Sequence, residues 1–231
     1  MGLRNRPCQP LDGRTRVGGT CSPIRALWDP ARHPSLLPAP PRAPQVKCHD
    51  DPAVKILTPR LALRPFQRED LPAFVSYRSD PQVARFQSWD PTYSLEDAER
   101  FLASQHGLAF GEPGDWVQLA AADRVSGELC GDCAVRVATD QPATAEVGVT
   151  FAPAAQGHGL ASEALGAVIA RLFEEHSMHR IFAQVDDRNH AAHQVLERLG
   201  FRCEARLVEA DWFKEQWTTL RIYAVLRRSW E

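Results

Sequence analysis

The spacing of hydrophobic residues follows two periods along the chain and predicts seven strands and four helices. A period of two residues is typical of a half-buried strand, and a period of 3.6 residues is typical of an amphipathic helix. The order of the elements predicts a mixed α/β (α+β) fold whose first half is largely antiparallel. Strands are predicted at 61–66, 116–122, 129–139, 145–151, 180–185, 201–209 and 216–226, and helices at about 71–78, 94–105, 160–173 and 190–199.

Residues 1–50 show no such period. Nine of the 18 prolines lie there, together with eight Arg or Lys residues and three Asp residues. Because proline removes backbone donors and interrupts helices and central strands, we interpret 1–50 as a Pro/Arg-rich extension without stable structure and 51–231 as the folded domain. The positive charge of the extension is weak evidence for nucleic-acid binding, so we expect no nucleic-acid partner.

The overall composition is that of a soluble globular protein, with 44% hydrophobic residues, 24% charged residues and a net charge of −2. No apolar run approaches the roughly 18 residues needed to span a bilayer, and no apolar stretch follows the basic N-terminal residues as it would in a secretory signal. The six cysteines are scattered, and neither the Cys130/Cys133 pair nor the histidine pairs have the partners of a metal site. We therefore expect a cytoplasmic protein without membrane association or bound metal.

The most informative segment is a passage from a strand into a helix. The strand ends at Phe151, Pro153 prevents its continuation, and Gly157 and Gly159 lead directly into a helix. A helix N-terminus presents unpaired N–H groups and the positive end of the helix dipole, and glycine lets a ligand approach the backbone closely. The segment therefore has the chemistry of an anion site, although it matches neither a P-loop nor a dinucleotide fingerprint. A helix start that merely needs small residues is the alternative.

The hexapeptide Gln156-Gly-His-Gly-Leu-Ala161 matches the Gln/Arg-x-x-Gly-x-Gly/Ala signature of the GNAT superfamily of N-acetyltransferases, and the chain resembles this superfamily over residues 56–228. Further matches occur in the order in which the superfamily has them. They are similar to the branch that includes the ribosomal-protein N-terminal acetyltransferases, and they comprise Thr58–Arg64, Ser79–Pro81, Trp89, Ala145–Gly148, Ser162–Leu165, Asn189, Val195–Phe201 and Tyr223.

The resemblance implies a central, mixed and mostly antiparallel twisted sheet of about six to seven strands, flanked by about four helices. It also implies acetyl-CoA as acetyl donor, with its pyrophosphate on the turn amides and its pantetheine arm along the strand that ends at Phe151. Asn189 matches the asparagine that steadies this arm in the superfamily. The candidate cofactor residues are therefore Val149, Phe151, Gln156, Gly157, His158, Gly159, Leu160, Ala161 and Asn189.

Acetyl transfer to an amine requires a base, because an alkyl ammonium with a pKa of about 10.4 is no nucleophile at neutral pH. Glu146 lies on the strand beside the cofactor and matches the glutamate to which the superfamily often assigns this role. A glutamate on an edge strand or on the surface is the alternative interpretation. A backbone N–H near Val147–Val149, in a bulge expected at Gly148, is the candidate donor to the carbonyl oxygen.

The chain differs from the superfamily at the positions that usually carry the proton donor for the leaving thiolate. Many members carry a tyrosine seven residues after the asparagine, and this branch often has a serine three residues after it, but this chain has Leu196 and Ala192 there. A thiol pKa of about 8.5 makes the thiolate a tolerable leaving group. Tyr223 is the remaining candidate acid, and a core tyrosine with one hydrogen bond is the alternative.

The leading hypothesis is an acetyl-CoA-dependent N-acetyltransferase that acts on a primary amine, and the resemblance favours a protein or peptide N-terminus as acceptor. A small-molecule amine such as a polyamine or an aminoglycoside is the alternative acceptor. A non-catalytic acyl-CoA-binding regulatory module is the alternative function. Trp89 and Trp212 lie in predicted loops, where acceptor pockets are usually built, so they are the candidate substrate residues.

Overall fold

The computed structural model describes residues 54–230, whose backbone is organised around one sheet. The eight strands are β1 (Ile56–Leu57), β2 (Leu61–Pro65), β3 (Val117–Asp123), β4 (Leu129–Val137), β5 (Thr144–Phe151), β6 (Arg180–Asp186), β7 (Arg202–Phe213) and β8 (Gln216–Leu226). Their spatial order is β1-β2-β3-β4-β5-β6-β8-β7, and within the described residues only β5 and β6 run parallel. The predicted mixed, mostly antiparallel sheet is confirmed. The extension predicted at residues 1–50 lies outside the described residues.

Residues 54–230 also form the α-helices α1 (Leu71–Arg78), α2 (Pro81–Ala84), α3 (Leu95–Ser104), α4 (Leu160–Glu174) and α5 (His190–Arg198). The predicted numbers of strands and helices were each too low, because β1 has two residues and α2 has four, which is too short for a period to show. Local capping specifies α2 instead, since the Asp80 carboxylate accepts the N–H groups of Gln82 and Val83. None of the helices in this range has both the length and the apolar character needed to cross a membrane.

The two faces of the sheet are covered by different helices. On one face, α4 buries its predicted apolar stripe in a core that includes Val147, Ile181 and Val225. On the other face, α1 and α3 pack around an aromatic cluster centred on Phe74. Because successive side chains of a strand point to opposite faces, Val147 enters the α4 layer whereas the adjacent Glu146 enters the layer of α1 and α3.

The hairpin of β7 and β8 is longer than the sequence pattern predicts. β7 continues to Phe213 rather than ending near residue 209, because most of its side chains are exposed and the strand therefore lacks hydrophobic alternation. The connecting residues Lys214 and Glu215 have φ values of 47° and 62°, as a two-residue hairpin turn requires. Nζ of Lys214 donates to the carbonyl oxygens of Ala84 and Trp89, each at 2.8 Å. The tip of the hairpin is thereby fastened to the end of α2 and to the segment that follows it.

Candidate active site

A cleft opens in the sheet where β5 and β6 stop pairing. Their parallel ladder joins three residue pairs and ends at Glu146–Phe182. β5 stays paired with β4 up to Phe151, and β6 stays paired with β8 up to Asp186, so β5 and β6 diverge. The cleft has a volume of about 140 Å³ and is lined by Phe86, Gln87, Val147, Gly148, Val149, Leu165, Ala183, Gln184, Val185, Asp186, Asn189, Ala192, Val195 and Leu196. A larger depression of about 330 Å³ beside β1 and β2 contains none of the predicted site residues.

Open backbone groups face this cleft from both sides. Thr144 and Ala152 form backbone hydrogen bonds with the β4 side, and the register between them is unbroken. Because the groups that face one neighbour alternate along an antiparallel ladder, the N–H and C=O of Gly148 point to β4 and those of Val149 point into the cleft. β6 is held to β8 by the same alternation, which directs the backbone of Gln184 into the cleft. Two strands thus offer donors and acceptors to a ligand between them.

The β-bulge expected at Gly148 is not formed. Gly148 pairs with Ala134 in a regular register, and a Cβ at this position would lie 3.9 Å from the Ala134 side chain, an ordinary contact. The expectation was wrong because the gap arises from the end of the parallel ladder, not from an inserted residue. Within the stretch Val147–Val149, the amide that points into the cleft beyond the last ladder pair is that of Val149.

The two glycines of the turn before α4 both have positive φ values. Gly159 precedes the helix with a φ of +76°, and no side chain caps the helix start. Gly157 has a φ of +78°, so both glycines occupy a region that other residues rarely adopt. Nε2 of Gln156 donates to the carbonyl oxygen of Phe151 at 2.9 Å. This bond fastens the turn to the end of β5, beside the cleft.

The first residues of α4 complete an anion-binding surface, residues 156–161, which we call the phosphate turn. Leu160 and Ala161 begin the helix, and their N–H groups have no acceptor within it. His158 is exposed in the middle of the turn. The helix dipole adds positive potential at the same point, so the phosphate turn favours a negatively charged ligand.

Asn189 both caps a helix and reaches the cleft. It precedes α5, and its Oδ1 accepts the N–H of Ala192 at 3.2 Å. Asn189 also lines the cleft. Because the cap uses only the oxygen of the side-chain amide, the two N–H groups of Nδ2 are available to a ligand.

Glu146 stands directly behind the wall of the cleft. It is 9% exposed, Oε2 accepts a short hydrogen bond from Arg136, and Oε1 accepts one from Nε2 of Gln184 at 3.2 Å. Gln184 is part of the cleft wall. The carboxylate is therefore one hydrogen bond away from the cleft, and a water molecule is needed to link it to a reacting amine there.

The positions that carry a proton donor in the superfamily are both in the cleft, and both are apolar. Ala192 and Leu196 belong to its wall. Asp186 is the one ionisable side chain among the fourteen lining residues. Burial acts to raise the pKa of Asp186, but the hydrogen bonds and the charge of Arg188 outweigh burial and lower the pKa. Asp186 is therefore ionised, and the cleft wall contains no acid.

Tyr223 projects into the opposite layer from Glu146. Its side chain is fully buried, its ring centroid lies 5.5 Å from that of His193, and its hydroxyl donates to Oε1 of Glu197 at 3.0 Å. Burial is the largest cause of a raised pKa at Tyr223, so the hydroxyl keeps its proton. The structure does not bring this hydroxyl into the cleft.

The two tryptophans predicted to contact the substrate also lie outside the cleft wall. The indole N–H of Trp89 donates to the carbonyl oxygen of Arg78 at 3.1 Å, and the Arg78 guanidinium stacks 3.7 Å from its ring centre. Trp212 is 60% exposed near the tip of the β7–β8 hairpin, where it packs against Trp217. Trp89 lies close in sequence to Phe86 and Gln87, which line the cleft. Trp212 is connected to this segment only indirectly, because Lys214 at the tip of the same hairpin binds it.

Sequence reasoning missed Arg136, which holds Glu146. Its guanidinium also lies 5.0 Å from the ring centre of Trp116. A signal for this residue was present, because the buried residues Val135 and Val137 alternate around Arg136 and place it on the face that Glu146 shares.

Phe86 and Gln87 were also missed, although both line the cleft. They belong to the segment that Lys214 holds in place, and Nε2 of Gln87 donates to Oγ1 of Thr150 at 3.3 Å. This bond joins residues 63 positions apart, so no local pattern could have revealed it.

Comparisons with known proteins match most of the domain. A family model described as an acetyltransferase (GNAT) domain matches residues 60–202. The uncharacterized N-acetyltransferase YnaD of Bacillus subtilis is 30% identical over 176 residues, which cover 76% of this chain and 98% of YnaD. The crystal structure of a GNAT-family acetyltransferase from Bacillus anthracis has a TM-score of 0.68 at 25% identity, over 76% of this chain and 100% of that chain. A spermidine N-acetyltransferase from Vibrio cholerae, solved with CoA and spermine, shares the fold with a TM-score of 0.63 at 21% identity, over 73% and 96% of the two chains.

The double use of Asn189 predicts that two substitutions will differ in stability but not in ligand binding. Asn189→Ser keeps a capping oxygen and should retain the free energy of unfolding, whereas Asn189→Ala should lose about 1 kcal/mol. Both variants lack the amide donor and should bind coenzyme A about tenfold more weakly. Urea denaturation and calorimetry measure the two effects. Full affinity in the Ser variant would show that Nδ2 does not contact the ligand.

Proposed function

Because the chain belongs to the GNAT family of acetyltransferases, we propose that it transfers the acetyl group of acetyl-CoA to an amine held beside the β5–β6 cleft. The observation that carries the proposal is the position of two features on one strand. β5 borders a cleft with open backbone groups, and its end is fastened to a turn with open amides. The coenzyme has the matching parts, a pantetheine arm with two amides and an anionic pyrophosphate.

Each part of the coenzyme has a partner in this arrangement. The amides of the phosphate turn bind the pyrophosphate, supported by the dipole of α4. The open backbone groups of Val149 and Gln184 pair with the amides of the pantetheine arm, as an added strand would. Nδ2 of Asn189 donates to the same arm from the other wall of the cleft. Acetyl-CoA, when bound, supplies the acetyl group as a thioester.

Glu146 accepts the proton of the acceptor amine through water. Its carboxylate is one hydrogen bond behind the cleft wall, within reach of a water molecule that contacts the amine. The N–H of Val149 points into the cleft and donates to the carbonyl oxygen as negative charge develops there. The new C–N bond forms as the C–S bond breaks, and the electron pair of the C–S bond leaves with sulfur.

The leaving thiolate takes its proton from water rather than from a side chain. The cleft wall holds no acid, and a thiol with a pKa of about 8.5 leaves as thiolate without strong acid help. The same absence favours one second candidate function, a module that binds acyl-CoA and does not catalyse. The presence of Glu146, held in place by Arg136 and Gln184, supports the catalytic reading.

The surroundings of Glu146 favour an α-amine as acceptor. An N-terminal amine has a pKa of about 7.7–8.0, against about 10.4 for an alkyl amine, so much less help from a base is needed to deprotonate it. Glu146 is shared with Arg136 and reaches the cleft only through Gln184 and a water molecule, so the help that it can give is limited. A protein or peptide N-terminus therefore fits better than a polyamine. The structural relative named as a spermidine N-acetyltransferase makes the polyamine the alternative to exclude.

A panel of amines tests this assignment through the release of coenzyme A from acetyl-CoA. Peptides with a free N-terminus should react at neutral pH with a kcat/KM at least about tenfold higher than spermidine or an aminoglycoside, because more of the α-amine is neutral. The same peptides with a blocked N-terminus are the control and should not react. Faster turnover of spermidine would contradict the peptide assignment. No release with any amine, in a protein that binds coenzyme A, would favour the non-catalytic module.

Replacing Glu146 by Gln tests the base. The variant should bind coenzyme A normally, because Glu146 does not line the cleft, and its kcat should fall by about 10²–10⁴-fold. Glu204→Gln is the matched control, since Glu204 is also a strand glutamate paired with an arginine, Arg180, but lies on the edge strand β7. The control should keep the wild-type kcat. An unchanged kcat in Glu146→Gln would remove this residue as base.

A further inference from the structure

Arg60, in the connection between β1 and β2, forms a bidentate contact with the first turn of α4. Its backbone N–H donates to Oε1 of Glu163 at 2.8 Å, and its Nε donates to Oε2 of the same carboxylate at 2.7 Å. The hydroxyl of the buried Thr58 adds a third bond, to Oε1 of Glu163 at 2.6 Å. Burial opposes ionisation of Glu163, but the bonds from Thr58 and Arg60 outweigh burial and lower its pKa. The ion pair is therefore present at neutral pH.

The same guanidinium holds the phosphate turn. Nη1 of Arg60 donates to the carbonyl oxygen of His158 at 2.9 Å. The carbonyl group of His158 is thereby turned toward Arg60. One side chain thus fixes both the start of α4, through Glu163, and the loop that precedes it.

The remaining nitrogen of the guanidinium, Nη2, lies beside the phosphate turn. Nη2 would lie 3.7 Å from a Cβ built on Gly159, the residue at the helix start. Because the guanidinium is a rigid planar fork, the bonds made by Nε and Nη1 also determine the direction of Nη2. Half of the Arg60 side chain is exposed to solvent.

We propose that Arg60 contacts the pyrophosphate of coenzyme A through Nη2 while its other two nitrogens position the phosphate turn. The phosphate turn contains no lysine or arginine of its own, and its amides carry only partial charges. Arg60 supplies the full positive charge that a pyrophosphate favours, from a chain segment 98 residues away. The inference rests on the proposed function, since it assumes that coenzyme A binds at this turn.

Calorimetry with the full chain tests the proposal on coenzyme A and on dephospho-coenzyme A, which lacks the 3′-phosphate but keeps the pyrophosphate. Arg60→Gln should weaken both ligands to the same extent, by about 10–100-fold. Arg124→Gln is the control, because Arg124 binds the carbonyl oxygen of Thr58 at 2.6 Å in the neighbouring loop and does not contact the phosphate turn. The control should keep the wild-type affinity for both ligands.

S-acetylpantetheine, which has no phosphate, separates a phosphate contact from a purely structural role. In an NMR titration, wild type and Arg60→Gln should bind it equally. If Arg60→Gln weakened S-acetylpantetheine as much as coenzyme A, the phosphate contact would be overturned. It would also be overturned if Arg60→Gln weakened coenzyme A but not dephospho-coenzyme A.

Arg60→Lys decides the matter if Arg60→Gln does not fold. Lysine keeps the charge but cannot hold Glu163 and a phosphate at once, so the affinity for coenzyme A should still fall severalfold. Wild-type affinity in the Lys variant would overturn the proposal.

The failure of the proposed function can be distinguished from the failure of the inference about Arg60. If the wild-type protein does not bind coenzyme A, both fail. If wild type binds and Arg60→Gln binds equally well, only the inference about Arg60 fails.

Discussion

The parting of β5 and β6 after Glu146–Phe182 is the constraint on which the rest of the site depends. Each strand is fully engaged on its other side, β5 with β4 and β6 with β8, so neither can turn to close the gap. β4 even approaches β5 so closely at Gly131 that a Cβ there would lie 2.3 Å from the carbonyl oxygen of Thr150. The unpaired groups in the gap would be costly if they stayed dry and unbound, which makes the cleft a place for a ligand rich in amides.

The two ends of the cleft differ in charge, and each end therefore favours a different kind of chemical group. At the end of β5, the glycines, the start of α4 and Arg60 together form a positive surface. Where the parallel ladder ends, the carboxylate of Glu146, which we propose as the base, is shared with Arg136 and Gln184. An anionic group is therefore favoured at the end of β5, and the proposed base at the other end suits an acceptor amine that needs little help to lose its proton.

Local signals made the phosphate turn and α4 predictable from the sequence. Positive φ values favour glycine at Gly157 and Gly159, and the apolar stripe of α4 is a repeat within one element. Asn189 was a candidate because it matches the superfamily asparagine, whereas its role as a helix cap is also a local feature. Each of these features involves residues only a few positions apart, so the local sequence can indicate it.

The parts that were missed or misplaced depend on contacts between distant elements. The bonds of Arg60 to His158 and Glu163 span 98 and 103 positions, and alternation within β5 says nothing about where its pairing with β6 ends. The bulge expected at Gly148 is absent, since the pairing of Gly148 with β4 is regular. The position of Tyr223 also followed from tertiary structure, since its hydroxyl is directed to Glu197 on α5 rather than to the cleft.

Amide hydrogen exchange measured by NMR, with and without coenzyme A, tests the central claim most directly. The N–H of Gly148 points to β4 and should exchange slowly in both states, because it is already bonded in the sheet. The N–H of Val149 points into the cleft, so it should exchange quickly in the free protein and slowly once the coenzyme is bound. Leu160 and Ala161, at the start of α4, should gain protection together with Val149. Bound coenzyme A that leaves the exchange of Val149 and of these two amides unchanged would contradict the account.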